Sequence, residues 1–159
     1  MKSSPAIAKL PLTILILLTL ASVASAGGEE IFTFHCAVCH QPNGKGIPGL
    51  YPPLADSIGS YVKVPQGRVY LVQVVSFGMT GPIAVRGQSY NGLMQPWPSL
   101  SDDDVAQVLN FALTTLDAKL LPNKFSPFSA DEVKKDRTAN LDMASVYKER
   151  ESLMHSLSK

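Results

Sequence analysis

The chain has 159 residues, of which 45% are hydrophobic and 17% charged, and its formal net charge is only +1. This composition is typical of one small globular domain, and the near-neutral charge gives no indication of a nucleic-acid partner. With two cysteines in total, the chain has no disulfide framework.

Residues 1–26 have the features of a secretory signal peptide. Lys2 and Lys9 form a positive n-region, an uncharged apolar run covers 10–20, and Ala24-Ser25-Ala26 is a small-residue cleavage site. Because the apolar run is short for a membrane helix, we expect export to the periplasm and no membrane span after cleavage. An uncleaved anchor is the alternative. Loss of the two lysines changes the formal net charge from +1 to −1.

Two cysteines lie three residues apart, and a histidine follows the second directly, in Cys36-Ala37-Val38-Cys39-His40. This spacing is the attachment pattern of c-type haem, in which each thiol bonds one vinyl group and the histidine reaches the iron. We predict one covalently attached haem c, with Cys36 and Cys39 as thioethers and His40 as an iron ligand. The alternatives are a redox dithiol, which does not need the histidine, a zinc site, which needs further ligands, and a disulfide, which has poor geometry at this separation.

The segments around this motif alternate between helix and loop. Residues 28–40 are predicted to form a helix, and 41–53 are so rich in glycine and proline that we expect an irregular loop over the histidine side of the haem. The run 65–77 contains many β-branched residues, as strands do, but proline at its start and glycine after its end favour a helix. Residues 78–98 are again predicted to be loop.

The final helix of the haem domain has the clearest signals. Ser101 is a strong N-cap with Asp104 three residues later, which is close to a capping box. Apolar residues then recur at helical spacing, and Pro122 ends the segment. The stripe consists of Val105, Val108, Leu109, Ala112 and Leu116.

Residues 122–159 contain a repeated pattern, in which Val133-Lys-Lys-Asp-Arg137 recurs as Val146-Tyr-Lys-Glu-Arg150. We predict two short amphipathic helices that pack on the haem domain as a C-terminal extension. Lys134, Lys135, Lys148 and both arginines are then expected to face outward. The alternative is an arm that docks to a partner protein.

Several motifs together resemble the class I single-haem cytochromes c of bacteria. They are Cys36-x-x-Cys-His40, the loop end Tyr51-Pro-Pro-Leu54, Tyr90-x-Gly-x-Met94, and the helix start Leu100-Ser-Asp-Asp-Asp-Val-Ala106. The resemblance covers about 28–120. It implies an all-α cytochrome c fold whose helices wrap a covalent haem, with electron transfer as the activity. It also implies contact between Phe32 and Phe111, and a hydrogen bond from His40 to the Pro52 carbonyl.

The second axial iron ligand is chosen from six residues, Met79, Met94, Met143, Met154, His35 and His155. Met94 is the predicted ligand because it lies in a proline- and glycine-rich segment just before the final helix. Tyr90 and Trp97, on either side of it, are predicted to line the haem pocket together with Pro52. Gln95 departs from the proline that usually follows the ligand in the resembled family.

The expected organisation is a signal peptide over 1–26, a haem domain over 27–121 and a helical extension over 122–159. With both axial positions filled and no catalytic constellation, we expect a periplasmic electron-transfer protein and not an enzyme. It would serve a periplasmic dehydrogenase, reductase or oxidase. The alternative is a haem enzyme or sensor with an open iron position.

The charged residues suggest where such a partner would bind. Four basic residues against one acidic residue lie between 31 and 101, whereas acids outnumber bases between 102 and 142. We predict that the haem side of the protein meets an acidic patch on the partner through Lys45, Lys63 and Arg68.

Overall fold

The computed structural model describes residues 23–159, which form six α-helices and one β-hairpin. The signal-peptide prediction therefore lies largely outside the described residues. No helix in the described part is long and apolar enough to cross a membrane. The elements are α1 (Val23–His35), α2 (Ala37–His40), α3 (Pro65–Phe77), β1 (Met79–Val85), β2 (Gln88–Met94), α4 (Asp102–Phe111), α5 (Ala130–Asp136) and α6 (Met143–Leu157).

Helices α1 and α4 pack closely together. The Phe32 and Phe111 rings lie 5.4 Å apart between centroids, which is the contact that the family resemblance implies. Gly28 allows this approach, because a Cβ at that position would overlap the backbone carbonyl of Gln107. The predicted helix over 28–40 is correct except for a break at Cys36, which separates α1 from the short helix α2.

Helix α3 resolves the ambiguity of the 65–77 segment in favour of a helix. Pro65 occupies its first turn, and Gly78 ends it with a φ of 71°. The residues from Tyr70 to Ser76 are all buried. Because nearly every face of this helix is covered, tertiary packing offsets the low helix propensity of its valines.

The segment predicted as loop over 78–98 instead contains the β-hairpin, so the loop prediction is wrong here, while the fold stays mostly helical with one small two-stranded sheet. Strands β1 and β2 pair antiparallel, with Met79 opposite Met94 and Val85 opposite Gln88. The connecting residues Arg86 and Gly87 have φ values of 52° and 78°, as a two-residue primed turn requires. The other regular elements of the haem domain are helical, and the loop predicted over 41–53 is irregular, as expected.

Helix α4 begins at the predicted capping box. The Ser101 hydroxyl accepts a hydrogen bond from the Asp104 amide at 3.1 Å, and the Asp104 carboxylate accepts one from the Ser101 amide at 2.9 Å. The helix continues as a π-helical turn over Ala112–Leu116 and a 3₁₀ turn over Ala118–Leu120 before Pro122.

The C-terminal helices α5 and α6 pack on the rest of the chain, as predicted. Val133, Val146 and Leu153 are fully buried in the common core. Gly81 lets α6 approach β1, since a Cβ there would overlap the Tyr147 ring. The side chain of Asn110 on α4 makes two hydrogen bonds to the backbone of Phe128, in the segment that leads into α5.

The predicted orientation of the arginines is wrong, whereas Lys134, Lys135 and Lys148 are exposed as expected. Arg137 turns inward and donates to the Asp102 carboxylate at 2.8 Å and to the Leu100 carbonyl at 2.9 Å. Arg150 is only 3% exposed. Both guanidinium groups find acceptors on the haem domain, so their side chains cross the interface instead of facing water.

Arg68 is also removed from the predicted partner-binding surface. Its guanidinium donates two hydrogen bonds to the Glu132 carboxylate, at 2.6 and 2.7 Å, and lies 3.9 Å from the centroid of the Phe128 ring. These contacts join α3 to α5, so Arg68 serves the packing of the extension.

Candidate haem-binding site

A cavity of about 620 Å³ lies inside the domain, between α1, α2, the loop after them, α3, the hairpin and α4. Its walls are mainly apolar. A volume of this size suits a cofactor or other small ligand. The apolar side chains around it include Phe32, Leu54, Ile58, Leu71, Val74, Val75, Ile83, Val85, Val108, Leu109 and Ala112.

The two cysteines lie on the α1–α2 wall of this cavity. Both thiols are free and partly buried, one helical turn apart. Burial, with a smaller contribution from Cys39, raises the pKa of the Cys36 thiol to about 12. A redox-active Cys-x-x-Cys pair has a lowered thiol pKa, so this wall does not suit that chemistry. Within residues 23–159 no group of three or more candidate ligands could hold a metal such as zinc.

His40 is buried beside the cysteines and has the geometry of a metal ligand. Its Nδ1–H donates to the Pro52 carbonyl at 2.9 Å, the contact that the sequence resemblance implies. The other ring nitrogen, Nε2, is thereby left with its lone pair available. Burial lowers the pKa of His40, and the Pro52 hydrogen bond opposes this effect. The imidazole is therefore neutral at pH 7, the form that binds iron.

The loop after His40 is shaped to bring the Pro52 carbonyl into place. Gly46 donates its amide to the His40 carbonyl at 2.9 Å and has a φ of 63°. A Cβ at Gly46 would overlap the carbonyls of Tyr51 and Pro52. The glycine therefore allows the two ends of the loop to approach each other beneath the histidine.

Met94 and Met79 are paired across the hairpin and both line the cavity. They differ in their surroundings. The Met79 sulfur is buried and accepts a hydrogen bond from the Tyr70 hydroxyl at 3.6 Å. Met94 is partly exposed at the end of β2, and no hydrogen bond to its sulfur is present among the described residues. Of the two thioethers, that of Met94 is therefore the one with no hydrogen-bond donor competing for its sulfur.

Tyr90 and Trp97 also reach the same cavity. Tyr90 is buried, and the Trp97 amide donates to the Val75 carbonyl at 3.0 Å, which fixes the segment after Met94 against α3. The Trp97 ring meets the His35 ring edge-on, with 4.6 Å between centroids.

All seven residues predicted for the site therefore line one cavity, namely Cys36, Cys39, His40, Pro52, Tyr90, Met94 and Trp97. Of the other candidate ligands, His35 lies on the same wall as His40, and Met143, Met154 and His155 lie away from the cavity on α6. Sequence reasoning missed Arg150, which reaches the cavity from α6, because a charged residue on a surface helix is ordinarily solvated.

Comparison with known proteins decides the family. The family model described as cytochrome c matches residues 25–116. The chain belongs to the cytochrome c family. Its resemblance to class I single-haem members, its helical fold and its Cys36-x-x-Cys39-His40 motif agree with this assignment, and electron transfer is the activity of the family.

The chain is also similar to individual cytochromes of two kinds. Cytochrome c-552 of Thermus thermophilus is 43% identical over 133 residues, which cover 83% of this chain and 88% of that protein. An alignment of that length includes part of the C-terminal extension. The cytochrome c subunits of quinone alcohol dehydrogenases from Gluconacetobacter polyoxogenes and Gluconobacter oxydans are 31% and 33% identical over 99 and 84 residues. The chain spans 20% and 17% of the length of those subunits.

Members of this family carry covalently attached haem c, and the cavity fits that group. It presents paired thiols at the attachment spacing, a neutral imidazole oriented by a carbonyl, a free thioether and apolar walls. Cys36 and Cys39 would hold the porphyrin, and the donor set of nitrogen and sulfur suits haem iron.

Proposed function

We propose that this cytochrome is a periplasmic one-electron carrier with His40 and Met94 as its axial iron ligands and Cys36 and Cys39 as its haem thioethers. The observation that carries the proposal is the convergence of these four side chains on one largely apolar cavity. The iron of a bound haem supplies the one-electron redox chemistry, and ligation by histidine and methionine favours a raised potential.

The residues of the chain prepare this chemistry in three ways. The Pro52 carbonyl holds the tautomer and orientation of His40. The Met94 thioether is held at the cavity wall by the β1–β2 pairing and by the hydrogen bond from the Trp97 amide to α3. The apolar walls exclude water, which favours electron transfer over reactions at the iron. With His40 and Met94 both bound to the iron, no coordination position would remain for a substrate.

The periplasmic location and the partner belong to the same proposal. The support for export is the signal-peptide pattern of residues 1–26. Two of the relatives named above are cytochrome subunits of a quinone-dependent dehydrogenase. We therefore infer that the partner is a periplasmic oxidoreductase or terminal oxidase, whose acidic patch meets basic residues of this cytochrome.

The first prediction tests the second axial ligand. The purified protein should retain its haem in acidified organic solvent and, when oxidised, show the sulfur-to-iron charge-transfer band in the near red. Met94→Ala should abolish that band because it removes the thioether that no hydrogen bond engages. Met79→Ala should keep the band, since the sulfur of Met79 is buried and accepts a hydrogen bond from Tyr70.

Absorption spectra of the two oxidised variants and the wild type, recorded side by side, give the measurement. Loss of the band in Met79→Ala with retention in Met94→Ala would reverse the assignment. A wild-type protein without the band would instead favour a haem enzyme or sensor with an open iron position.

A further inference from the structure

Arg150 is a buried cation that the C-terminal extension brings to the haem cavity. It lies on α6 and is only 3% exposed. Among the described residues that line the cavity, it alone carries a permanent charge. A buried charge is costly unless hydrogen bonds or an opposite charge compensate it. The partners of Arg150 therefore indicate what the cavity wall is built to receive.

Most of the acceptors around Arg150 are neutral. Its Nη2 donates to the Ala84 carbonyl at 3.0 Å. Burial raises the pKa of the Tyr70 hydroxyl, and the nearby guanidinium of Arg150 opposes that rise. The nearest carboxylate is that of Glu151, at 3.6 Å from Nη1, and the Glu151 side chain is 55% exposed. A long contact to a hydrated carboxylate compensates a buried guanidinium only weakly.

The other arginine of the repeated pattern shows how the charge of a guanidinium is fully compensated in this chain. Arg137 occupies the position equivalent to Arg150 in the sequence Val-x-Lys-acid-Arg. It donates to the Asp102 carboxylate at 2.8 Å and does not line the cavity. Arg137 thus has a close anionic partner within the protein, whereas the guanidinium of Arg150 faces the cavity with donors to spare.

Haem supplies the missing anion. Its porphyrin carries two propionate carboxylates, on the edge remote from the vinyl groups that cysteines bond. The thiols lie on the α1–α2 wall, whereas Arg150 is held by α6 and by β1 through Ala84. An arginine is the side chain best suited to a carboxylate, because its planar fork donates two parallel hydrogen bonds.

We propose that Arg150 binds a haem propionate, so that the C-terminal extension forms part of the cofactor site. This inference rests on the proposed function, in which haem occupies the cavity. The bound pair neutralises a carboxylate next to the porphyrin. Because positive charge near the iron disfavours the oxidised state, Arg150 also raises the reduction potential of the haem.

The second prediction compares three variants of the holoprotein by redox titration and thermal melting. Arg150→Met keeps the length of the side chain and removes its charge, so the reduction potential should fall. Arg150→Lys retains the charge and should keep a potential close to that of the wild type. Arg137→Met is the matched control, which should lower the melting temperature without shifting the potential. A purely structural Arg150 would lower the melting temperature and leave the potential of Arg150→Met unchanged, and that result would overturn the proposal.

A direct measurement on the unmodified protein keeps the proposal testable if Arg150→Met does not fold. In the reduced, diamagnetic protein, proton NMR should show nuclear Overhauser contacts between the Arg150 side chain and the propionate methylenes. Their absence would overturn the inference. A protein that lacks the charge-transfer band but whose reduction potential still falls in Arg150→Met would contradict the Met94 ligation alone, so the two proposals fail separately.

Discussion

His40 is held by burial and by one hydrogen bond, and these act on its charge in opposite directions. Burial disfavours the imidazolium and lowers the pKa, whereas the Pro52 carbonyl accepts from Nδ1–H and favours the protonated ring. Burial is the larger effect, so the ring is neutral above the lowered pKa. The hydrogen bond then determines which nitrogen is free, so Nε2 is the atom that would bind iron in the proposed site.

Asp117 holds another wall of the cavity in place by hydrogen bonds to the backbone. It is buried, and its Oδ2 accepts hydrogen bonds from the amides of Ser57, at 3.0 Å, and Gly59, at 2.6 Å. These amides open the 3₁₀ helix Ile58–Lys63, whose residues Ile58 and Tyr61 line the cavity. Asp117 thus fixes a wall of the site from the end of the haem domain, near the start of the extension.

The third prediction concerns this residue. Asp117→Ala leaves two buried amides without an acceptor and should lower the free energy of unfolding by about 3 kcal/mol. Asp117→Asn should lower the free energy of unfolding clearly less, because its amide oxygen can still accept both hydrogen bonds. Its NH₂ group would take the place of Oδ1, which accepts no hydrogen bond from the described residues. Equilibrium denaturant unfolding of the holoproteins, followed by circular dichroism, measures both.

Asp56→Asn is the control for that series. Asp56 is partly exposed, its carboxylate forms a salt bridge with the exposed Lys119, and its φ of 55° suits asparagine as well as aspartate. Its loss should leave stability unchanged. If Asp117→Ala is no less stable than Asp56→Asn, the two amide hydrogen bonds do not support the cavity wall.

At the residue scale, prediction from the sequence worked where the chemistry is local. Cys36, Cys39 and His40 occupy adjacent turns, so their spacing alone indicates a common purpose. Asp117 and Arg150 each act on residues about 60 positions away in the sequence. Nothing in their neighbourhood distinguishes them from solvated charges, and only the packed structure reveals their partners.

The β-hairpin shows why one element was missed. Gly81, Pro82 and Gly92 disfavour strands, and they obscured the pattern. An alternation is nevertheless present in β1, where Met79, Gly81, Ile83 and Val85 all line the cavity. The hairpin is stabilised by this one-sided packing and by the Arg86-Gly87 turn, not by intrinsic strand propensity.

The extension shows the opposite case, in which helical periodicity predicted both helices and their burial. Val133, Val146 and Leu153 lie in the core shared with α3 and α4. The interface also contains Arg68, bonded to Glu132 and stacked on Phe128. What periodicity could not show is that the polar residues of α5 and α6 also bind the haem domain.

The fourth prediction tests the extension as a unit. Deletion of 123–159 exposes the apolar faces of α3, α4 and β1, and should lower the melting temperature of the holoprotein by about 10 °C or more. Thermal melts monitored by circular dichroism measure the effect. The control is Lys134→Ala combined with Lys148→Ala, which changes only the exposed side and should melt with the wild type. An unchanged melting temperature after deletion, together with lost binding to a redox partner, would make the extension a docking arm.

For the molecule as a whole, two exposed surfaces bear on partner binding, an apolar one at the rim of the cavity and a charged one. Phe34, Val38, Leu50 and Leu93 line the cavity and are all more than half exposed. A second surface consists of Lys45, Arg86 and Lys119 around Asp56, which we name the Asp56 cluster. A hydrogen bond from Lys119 is the largest of the effects that lower the pKa of Asp56, and the charges of Lys119, Arg86 and Lys45 add to it.

These two surfaces imply different forces in the encounter with a partner. Apolar side chains at the rim favour close contact once the partner is in place, and their attraction is insensitive to moderate salt. The Asp56 cluster and the exposed Lys63 act over longer distances and steer a negatively charged partner before contact. Arg68, which the sequence placed in this surface, is paired with Glu132 and does not take part in the steering.

The fifth prediction separates these forces with two small reductants of opposite charge. Reduction of the oxidised protein by ferrocyanide should slow about two- to fivefold as ionic strength rises from about 10 to 300 mM, because salt screens its attraction to the basic surface. Reduction by hexaammineruthenium(II) should accelerate over the same range. Lys45→Ala combined with Lys63→Ala should weaken both dependences, whereas Lys134→Ala with Lys148→Ala makes the same change of charge on the extension and should leave them intact. Stopped-flow absorbance at the haem band measures the rates.

If the rates with both reagents are independent of ionic strength, the haem edge has no net positive surroundings. Recognition of the partner would then rest on the apolar rim formed by Phe34, Val38, Leu50 and Leu93.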